Sequence, residues 1–292
     1  MRILVLGAGG MLGHKLVQRL CRDFPVSATL RGDGGRCRTP PTLAGARTYC
    51  RVDGREMTTV LRTLDDSRPD MVINCIGIVK QRDEAKEPIE TIAINALFPH
   101  LLARLCAERA IRVLHFSTDC VFSGRRGPYR EDDFADADDL YGRTKFLGEL
   151  AADHCLTLRT SIVGRELAHH AGLIEWFLAQ RGRRINGFAG ALYTGLTTNA
   201  LADVVAVLLT RFPHLSGLFH VASEPISKFD LLRLVNEVYQ AKVEIVRDDD
   251  FFCDRRLDGG RFLAATGIAP PAWRRMIEDM RSDENGYQLP GA

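Results

Sequence analysis

The segment Gly7-Ala8-Gly9-Gly10-Met11-Leu12-Gly13 constrains this chain more than any other. It follows a short apolar run, Ile3–Leu6, at once and opens an amphipathic stretch that reads as a helix, Met11–Arg22. Glycine accepts positive φ and lets backbone N–H groups approach a pyrophosphate at a helix N-terminus. In this strand–turn–helix setting, Gly7-x-x-Gly10-x-x-Gly13 predicts a dinucleotide cradle that includes Met11 and Leu12. A tight turn without a ligand is the alternative.

The next 150 or so residues repeat the same order of short apolar and longer amphipathic runs. Strands are predicted at Ile3–Leu6, Val26–Leu30, Thr48–Val52, Met71–Ile76, Ile111–Phe116 and Cys155–Leu158. Helices are predicted at Met11–Arg22, Glu56–Leu64, Ile89–Arg109 and Gly142–His154. That alternation means βαβ units. The expected fold class is α/β, a Rossmann-type doubly wound parallel sheet with a smaller, discontinuous C-terminal substrate lobe. Residues 1–163 should build the cofactor domain, part of 193–222 should return to it, and 164–292 should form mainly the substrate lobe. In that lobe the pattern predicts helices at Gly172–Ala179, Thr198–Thr210 and Ser227–Tyr239, the last capped by Ser227, and a strand at Gly217–Val221. The tail from Asp248 reads as loop-rich.

Composition removes other classes. Lys+Arg number 39 against 37 Asp+Glu, a formal charge of +2, so no basic excess marks a nucleic-acid polymer or an anionic membrane as partner. No secretory leader is expected before the first strand, and the apolar run Leu201–Leu209 is far short of the ~20 residues of a membrane span. The eight cysteines include no C-x-x-C pair. A reduced, cytoplasmic protein with no metal site is expected.

The exit of the second strand distinguishes cofactors, with an acid suiting NAD and a basic residue NADP. Here Arg31 stands at that exit, with Arg36 and Arg38 soon after. NADP(H) is favoured, and NAD(H) stays open because Asp33 could serve a ribose. A solvated basic loop is the bland reading. Cys75 and Gly77, at the end of the fourth strand, are further candidates to line the cofactor.

Tyr141-Gly-Arg-Thr-Lys145 sets a phenol and an ammonium one helical turn apart. A cation beside a phenol stabilises its phenolate, which makes Tyr141 a candidate proton donor and Lys145 its tuning charge. By spacing alone such a pair is usually a surface pair. Upstream, Ser117-Thr118-Asp119-Cys120 ends the fifth strand, where a hydroxyl faces the carboxyl edge of a sheet.

Glycine loop, strand-end hydroxyl and Tyr-x-x-x-Lys in this order resemble the short-chain dehydrogenase/reductases. Within its extended, sugar-nucleotide-modifying branch the chain most resembles the dTDP-4-dehydrorhamnose reductase family, as far as about Trp273. Further shared markers are Val72-Ile-Asn74, Asn95-Ala96, Lys145-x-x-Gly148-Glu149, Leu158-Arg-Thr-Ser161, Thr194-Gly-Leu-Thr197, Phe219-His-Val-Ala222 and Arg256-Leu-Asp258. The resemblance implies hydride transfer from a nicotinamide to the C4 ketone of a nucleotide-linked 6-deoxysugar. It implies that Thr118 hydrogen-bonds the ketone, Tyr141 protonates the alkoxide and Lys145 holds the nicotinamide ribose. It also implies that Asn95 supports the lysine and that Asp53 contacts adenine. Lys80, Thr118, Asp119 and Cys120 are candidate substrate contacts, with Gln81 beside Lys80.

The chain departs from that family at two points. Some members form a Mg²⁺-bridged dimer through a glutamate where this chain has Lys15, so that dimer is not expected, although a homodimer of another kind stays open. Cys120 stands where the reductases carry Tyr and the 4,6-dehydratases Glu; GDP-fucose synthases use a Cys there with a His for epimerisation. A bifunctional epimerase/reductase using Cys120 with His169 or His170 is therefore an alternative, beside a buried filler. From another class, the NADP-binding regulatory subunit of methionine adenosyltransferase resembles the same family and acts by docking. The acids Glu131, Asp132, Asp133, Asp136, Asp138 and Asp139 read as a solvated loop, and Trp176 as core of the small lobe. Arg181, Arg183 and Arg184 could meet a diphosphate.

Overall fold

A computed structural model describes residues 1–32, 40–79, 87–168, 171–283 and 287. Its first half is a run of strand-helix units: β1 (Ile3–Leu6), α1 (Met11–Leu20), β2 (Val26–Leu30), β3 (Arg47–Cys50), α2 (Met57–Ser67) and β4 (Met71–Asn74). There follow α3 (Pro88–Ile92), a π-helical turn (Ala93–Leu97), α4 (Phe98–Ala107), β5 (Arg112–Thr118), α5 (Leu140–Leu147) and β6 (Cys155–Thr160). Every residue of β1 and of β4 is buried, as strands covered on both faces require.

Later come β7 (Ile162–Val163), α6 (Leu173–Leu178), β8 (Arg184–Tyr193), β9 (Leu196–Thr197), α7 (Thr198–Arg211) and β10 (Gly217–His220). The last elements are β11 (Ile226–Ser227), α8 (Lys228–Tyr239), β12 (Glu244–Asp254), α9 (Gly260–Thr266) and α10 (Trp273–Ser282).

Seven strands form one parallel sheet in the order β10-β6-β5-β4-β1-β2-β3. The sequence leaves β1 in one direction to β2 and β3, then returns to β4 and β5 on its other side, so the topology reverses between β1 and β4. That is where doubly wound sheets bind ligands. The register Leu6↔Asn74 sets the glycine loop beside the end of β4.

Two compact units are distinguished. The first comprises Met1–Ser117, Asp139–Leu158 and Val205–Leu218, and its core gathers Leu4, Leu6, Val72, Phe98, Leu102 and Val113. The second comprises Thr118–Asp138, Arg159–Val204 and Phe219–Ala292, with Val121, Phe122, Tyr129 and Leu257 packed together. Its small sheet has the order β11-β8-β12.

Several sequence expectations need correction. The helix expected to His154 stops at Leu147, because Gly148 caps it and its missing side chain lets Asn95 approach. The tail from Asp248 is not loop-rich: β12 runs to Asp254, and α9 and α10 follow. β8 went unforeseen because its glycines mask a strand pattern. Those glycines serve close pairing with β12, since a Cβ at Gly190 would stand 2.5 Å from the Phe251 carbonyl oxygen. The helical stretch Pro88–Ala107 is long and apolar enough to cross a membrane by length and composition, and half of it is buried in the unit. Among the described residues six cysteines are free thiols, and Cys50, exposed at the end of edge strand β3, is disulfide-bonded. An exposed sulfur is open to oxidation in a way that the buried Cys106 and Cys155 are not.

Candidate active site

The cradle at the end of β1 is shaped by close approach. Gly7 sits at φ +77°, where a side chain is strained, and a Cβ on it would stand 3.0 Å from the Cys75 carbonyl carbon. A Cβ on Gly13 would overlap the Gly7 carbonyl oxygen, so only glycine lets α1 begin this near the strand. The Gly10 N–H donates to the Gly7 carbonyl (3.1 Å), and Gly7 N–H donates to Thr29 Oγ1 (3.0 Å). Gly10, the N-cap of α1, supplies no side-chain cap, and the first turn carries no acid. That leaves Met11, Leu12 and Gly13 at an electropositive helix start able to meet a pyrophosphate. The cradle fits a dinucleotide.

Arg31 is exposed just beyond β2, and its charge acts on Asp53. Asp53 is itself held by Arg55, with Nη2 2.5 Å and Nε 3.1 Å from Oδ2, and this ion pair lowers its pKa. Its carboxylate is therefore engaged before any adenine arrives. Cys75 and Gly77 lie on the segment after β4. Burial pushes the Cys75 thiol far up, which makes it a packing group.

Asn95 sits in the π-helical turn, fully buried. Its Oδ1 accepts from the Ile78 N–H and its Nδ2 donates to the Ile78 carbonyl, both at 2.9 Å. It thus clamps the segment that carries Cys75 and Gly77. The carbonyl of the same residue abuts Gly148 at the end of α5. One residue ties the β4 exit to the helix of Tyr141 and Lys145.

Asp139 caps α5, its Oδ1 accepting from the Gly142 N–H at 2.7 Å. Tyr141 is half-buried, whereas Lys145 is 7% exposed. The Lys145 ammonium donates to the Phe116 carbonyl of β5 at 2.7 Å. Burial lowers its pKa to about 8, while the nearby Glu149 and Cys75 pull the other way. Ser117 Oγ, next on β5, donates to Glu149 Oε1 at 2.5 Å and fixes the end of α5 a second time. Sequence reasoning had noted Glu149 as a marker without a role; its place one turn beyond Lys145 was the available sign.

In the second unit, Thr118, Asp119 and Cys120 form a turn. Thr118 Oγ1 donates to Asp119 Oδ1 and accepts from the Cys120 N–H, each at 3.1 Å. Arg255 donates through Nε to the Phe122 carbonyl (2.9 Å), and its Nη1 stands 3.6 Å from Cys120 Sγ. Burial and the Asp119 carboxylate push the Cys120 thiol up to about 12 despite that guanidinium. Arg255 was not foreseen, and Ser161, which also bonds Asp119, stood only as the end of a shared marker, since each is distant from Asp119 in sequence.

Other expectations fare differently. Lys80, Gln81, Asp33, Arg36, Arg38, His169 and His170 lie outside the described residues. The acids before α5 are only in part a solvated loop: Asp132 and Asp138 are exposed, while others are held inside. Glu131 is buried and accepts the His220 N–H (2.9 Å), Asp136 holds the Ser123 N–H and hydroxyl, and Asp132 pairs with Arg261 at 2.5 Å. Trp176 is 42% exposed rather than core, because α6 turns Ile174, Phe177 and Leu178 inward instead. Arg184 pairs with Glu244 at 3.4 Å, both exposed. Among the described residues no cluster of His, Cys, Asp and Glu could hold a metal ion.

Comparison with known proteins adds the relatives. The family model described as the RmlD substrate binding domain matches residues 1–284. A Streptomyces antibioticus protein named probable dTDP-4,6-dihydroxy-2-methyloxan-3-one 4-ketoreductase is 30% identical over 299 residues, covering 97% of this chain and 95% of that one. The dTDP-4-dehydrorhamnose reductase of Escherichia coli K12 is 28% identical, with 81% of this chain and 78% of that one covered. Among solved structures, a hypothetical dTDP-4-dehydrorhamnose reductase from Sulfolobus tokodaii is similar at TM-score 0.77 and 25% identity, covering 94% of this chain and 98% of the other. The Bacillus anthracis dTDP-4-dehydrorhamnose reductase in complex with NADP shares the fold at TM-score 0.76 and 20% identity, covering 97% and 99%.

Proposed function

This chain belongs to the RmlD substrate binding domain family, and from that premise we propose that it reduces the C4 ketone of a nucleotide-linked 4-keto-6-deoxysugar with NADPH. The product would serve surface polysaccharide or deoxysugar biosynthesis, as the names of its relatives indicate for them. The observation that carries the reading is the buried Lys145 ammonium on the Phe116 carbonyl, one helical turn from Tyr141 and two residues before Thr118 along β5.

NADPH supplies the hydride when bound, and Gly7, Gly10, Met11, Leu12 and Gly13 would hold its pyrophosphate. Arg31 would meet the 2′-phosphate, and NAD(H) would lack that contact. Cys75 and Gly77 would line the nicotinamide side, held there by Asn95, and Asp53 would stand towards adenine. Thr118 hydrogen-bonds the ketone oxygen and Tyr141 transfers its phenolic proton to that oxygen as the alkoxide forms. Lys145 stabilises the phenolate left on Tyr141 and hydrogen-bonds the nicotinamide ribose.

Epimerisation through Cys120 gains no support, because a thiol pushed up to about 12 is a poor base at neutral pH. The test is NADPH oxidation by the purified protein against a panel of 4-keto-6-deoxysugar nucleotides. Oxidation with at least one of them is expected, and no oxidation with any overturns the reading in favour of a docking role. The ratio of NADPH to NADH efficiency should fall in Arg31→Ala; an unchanged ratio removes Arg31 from the cofactor site.

A further inference from the structure

A threonine hydroxyl has one proton, and that of Thr118 is already committed. Oγ1 donates it to Asp119 Oδ1 (3.1 Å) and accepts from the Cys120 N–H (3.1 Å). In that arrangement Thr118 has a lone pair to offer a ketone oxygen but no donor, and two oxygens facing through lone pairs repel. The reduction proposed above needs the opposite polarity.

Asp119 is built to control it. The residue is 6% exposed, and its carboxyl group is also bonded by Ser161 and Cys120 and faced by Arg255. The Tyr193 hydroxyl, buried and without a hydrogen-bond partner among the described residues, senses the same carboxylate. These groups come from the turn after β5 (Cys120), the end of β6 (Ser161), the end of β8 (Tyr193) and the end of β12 (Arg255).

We propose that Asp119 is a positioning residue that sets the direction of the Thr118 hydroxyl. As a carboxylate it accepts the hydrogen bond of the Thr118 O–H. As a carboxylic acid it donates to Thr118 Oγ1, whose own O–H then turns to a ketone oxygen. The exchange balances: one proton arrives from solvent on Asp119, Oγ1 accepts from Asp119 and from the Cys120 N–H, and its single proton goes to the substrate. Burial favours the acid form, pushing the Asp119 pKa up, and Arg255 with the surrounding hydrogen bonds offsets only part of that. The Cys120 thiol, at about 12, and the Tyr193 phenol, higher still, do not titrate in the same range.

The inference rests on Thr118 meeting the ketone, and its test separates the two. In the wild type at saturating NADPH, kcat/KM for the ketone should fall as pH rises through the Asp119 pKa. Asp119→Ala leaves the Thr118 hydroxyl undirected and should lose up to about a hundredfold in kcat, the low end of the range for a lost donor. Asp119→Asn, whose amide donates at every pH, should recover most of that loss and flatten the fall. Asp119→Asn no better than Asp119→Ala, with NADPH binding retained, overturns the inference, as does an Asp119→Asn profile that keeps the wild-type fall. The ligand-free protein gives an independent readout by carboxyl ¹³C NMR. Thr118→Ala removes a donor to the carboxylate and should raise the Asp119 pKa, and an unmoved pKa overturns the pairing even if no sugar nucleotide is reduced. A wild type inactive on every ketone, with that NMR shift present, refutes the proposed function alone.

Discussion

The role proposed for Lys145 calls for a cation in a place that resists one. Burial lowers its pKa to about 8, so the free protein loses that charge as the solution turns mildly alkaline. If the charge holds the nicotinamide ribose, NADPH affinity should weaken as pH rises through about 8, reaching about tenfold by one unit above that point. Fluorescence titration of NADPH from neutral to alkaline pH checks this, and Lys145→Met should bind weakly with no such trend. Tyr141→Phe should cut turnover about 10²- to 10⁴-fold while NADPH binding stays largely intact, read from kcat and the NADPH Kd. Both residues were legible in the sequence, because i and i+4 on a helix share a face. The role of Asn95 was not. Its clamp on Ile78 depends on a loop–helix contact that no spacing encodes.

At the scale of elements, α5 is short and held from outside. Its end depends on Gly148 passing the Asn95 carbonyl and on Ser117 bonding Glu149. A Cβ at Gly148 would collide with backbone, which cannot step aside as a side chain can. Gly148→Ala should therefore cost about 1–3 kcal/mol of stability and displace Lys145. The thermal midpoint should fall by several degrees and kcat with it; an unchanged midpoint would show that the backbone relaxes freely. The glycine cradle was readable because its spacing directly reflects three close approaches. The length of α5 was not, since helix-forming residues continue past the point where packing stops it.

At the scale of the molecule, two buried histidines shape the response to acid. Burial and the neighbouring Arg159 lower the His220 pKa from 6.5 to about 3, and His115, hydrogen-bonded to Asn74, lies well below its ordinary value through burial. Unfolding releases both imidazoles, which then bind protons that the folded chain refuses. The unfolded state thus binds more protons between about 6.5 and about 3, so stability falls as pH falls through that window. Each histidine should contribute up to about 1.4 kcal/mol per pH unit. Urea unfolding at a series of pH values checks the slope, which should be shallower in His115→Gln; a slope identical to the wild type would assign the acid sensitivity elsewhere.

The sequence by itself determined the doubly wound sheet, the glycine cradle and the Tyr141–Lys145 pair. Each follows from local periodicity, from the conformational freedom of glycine or from neighbours one turn apart. Only the tertiary structure decided what those residues touch. Lys145 reaches Phe116 across 29 positions and Arg255 reaches Cys120 across 135. The carboxyl group of Asp119 gains its character from burial, Arg255 and Ser161, which surround it only once the chain has folded. Desolvation and long-range contact set protonation and hydrogen-bond direction, and neither quantity is carried by the order of residues along the chain.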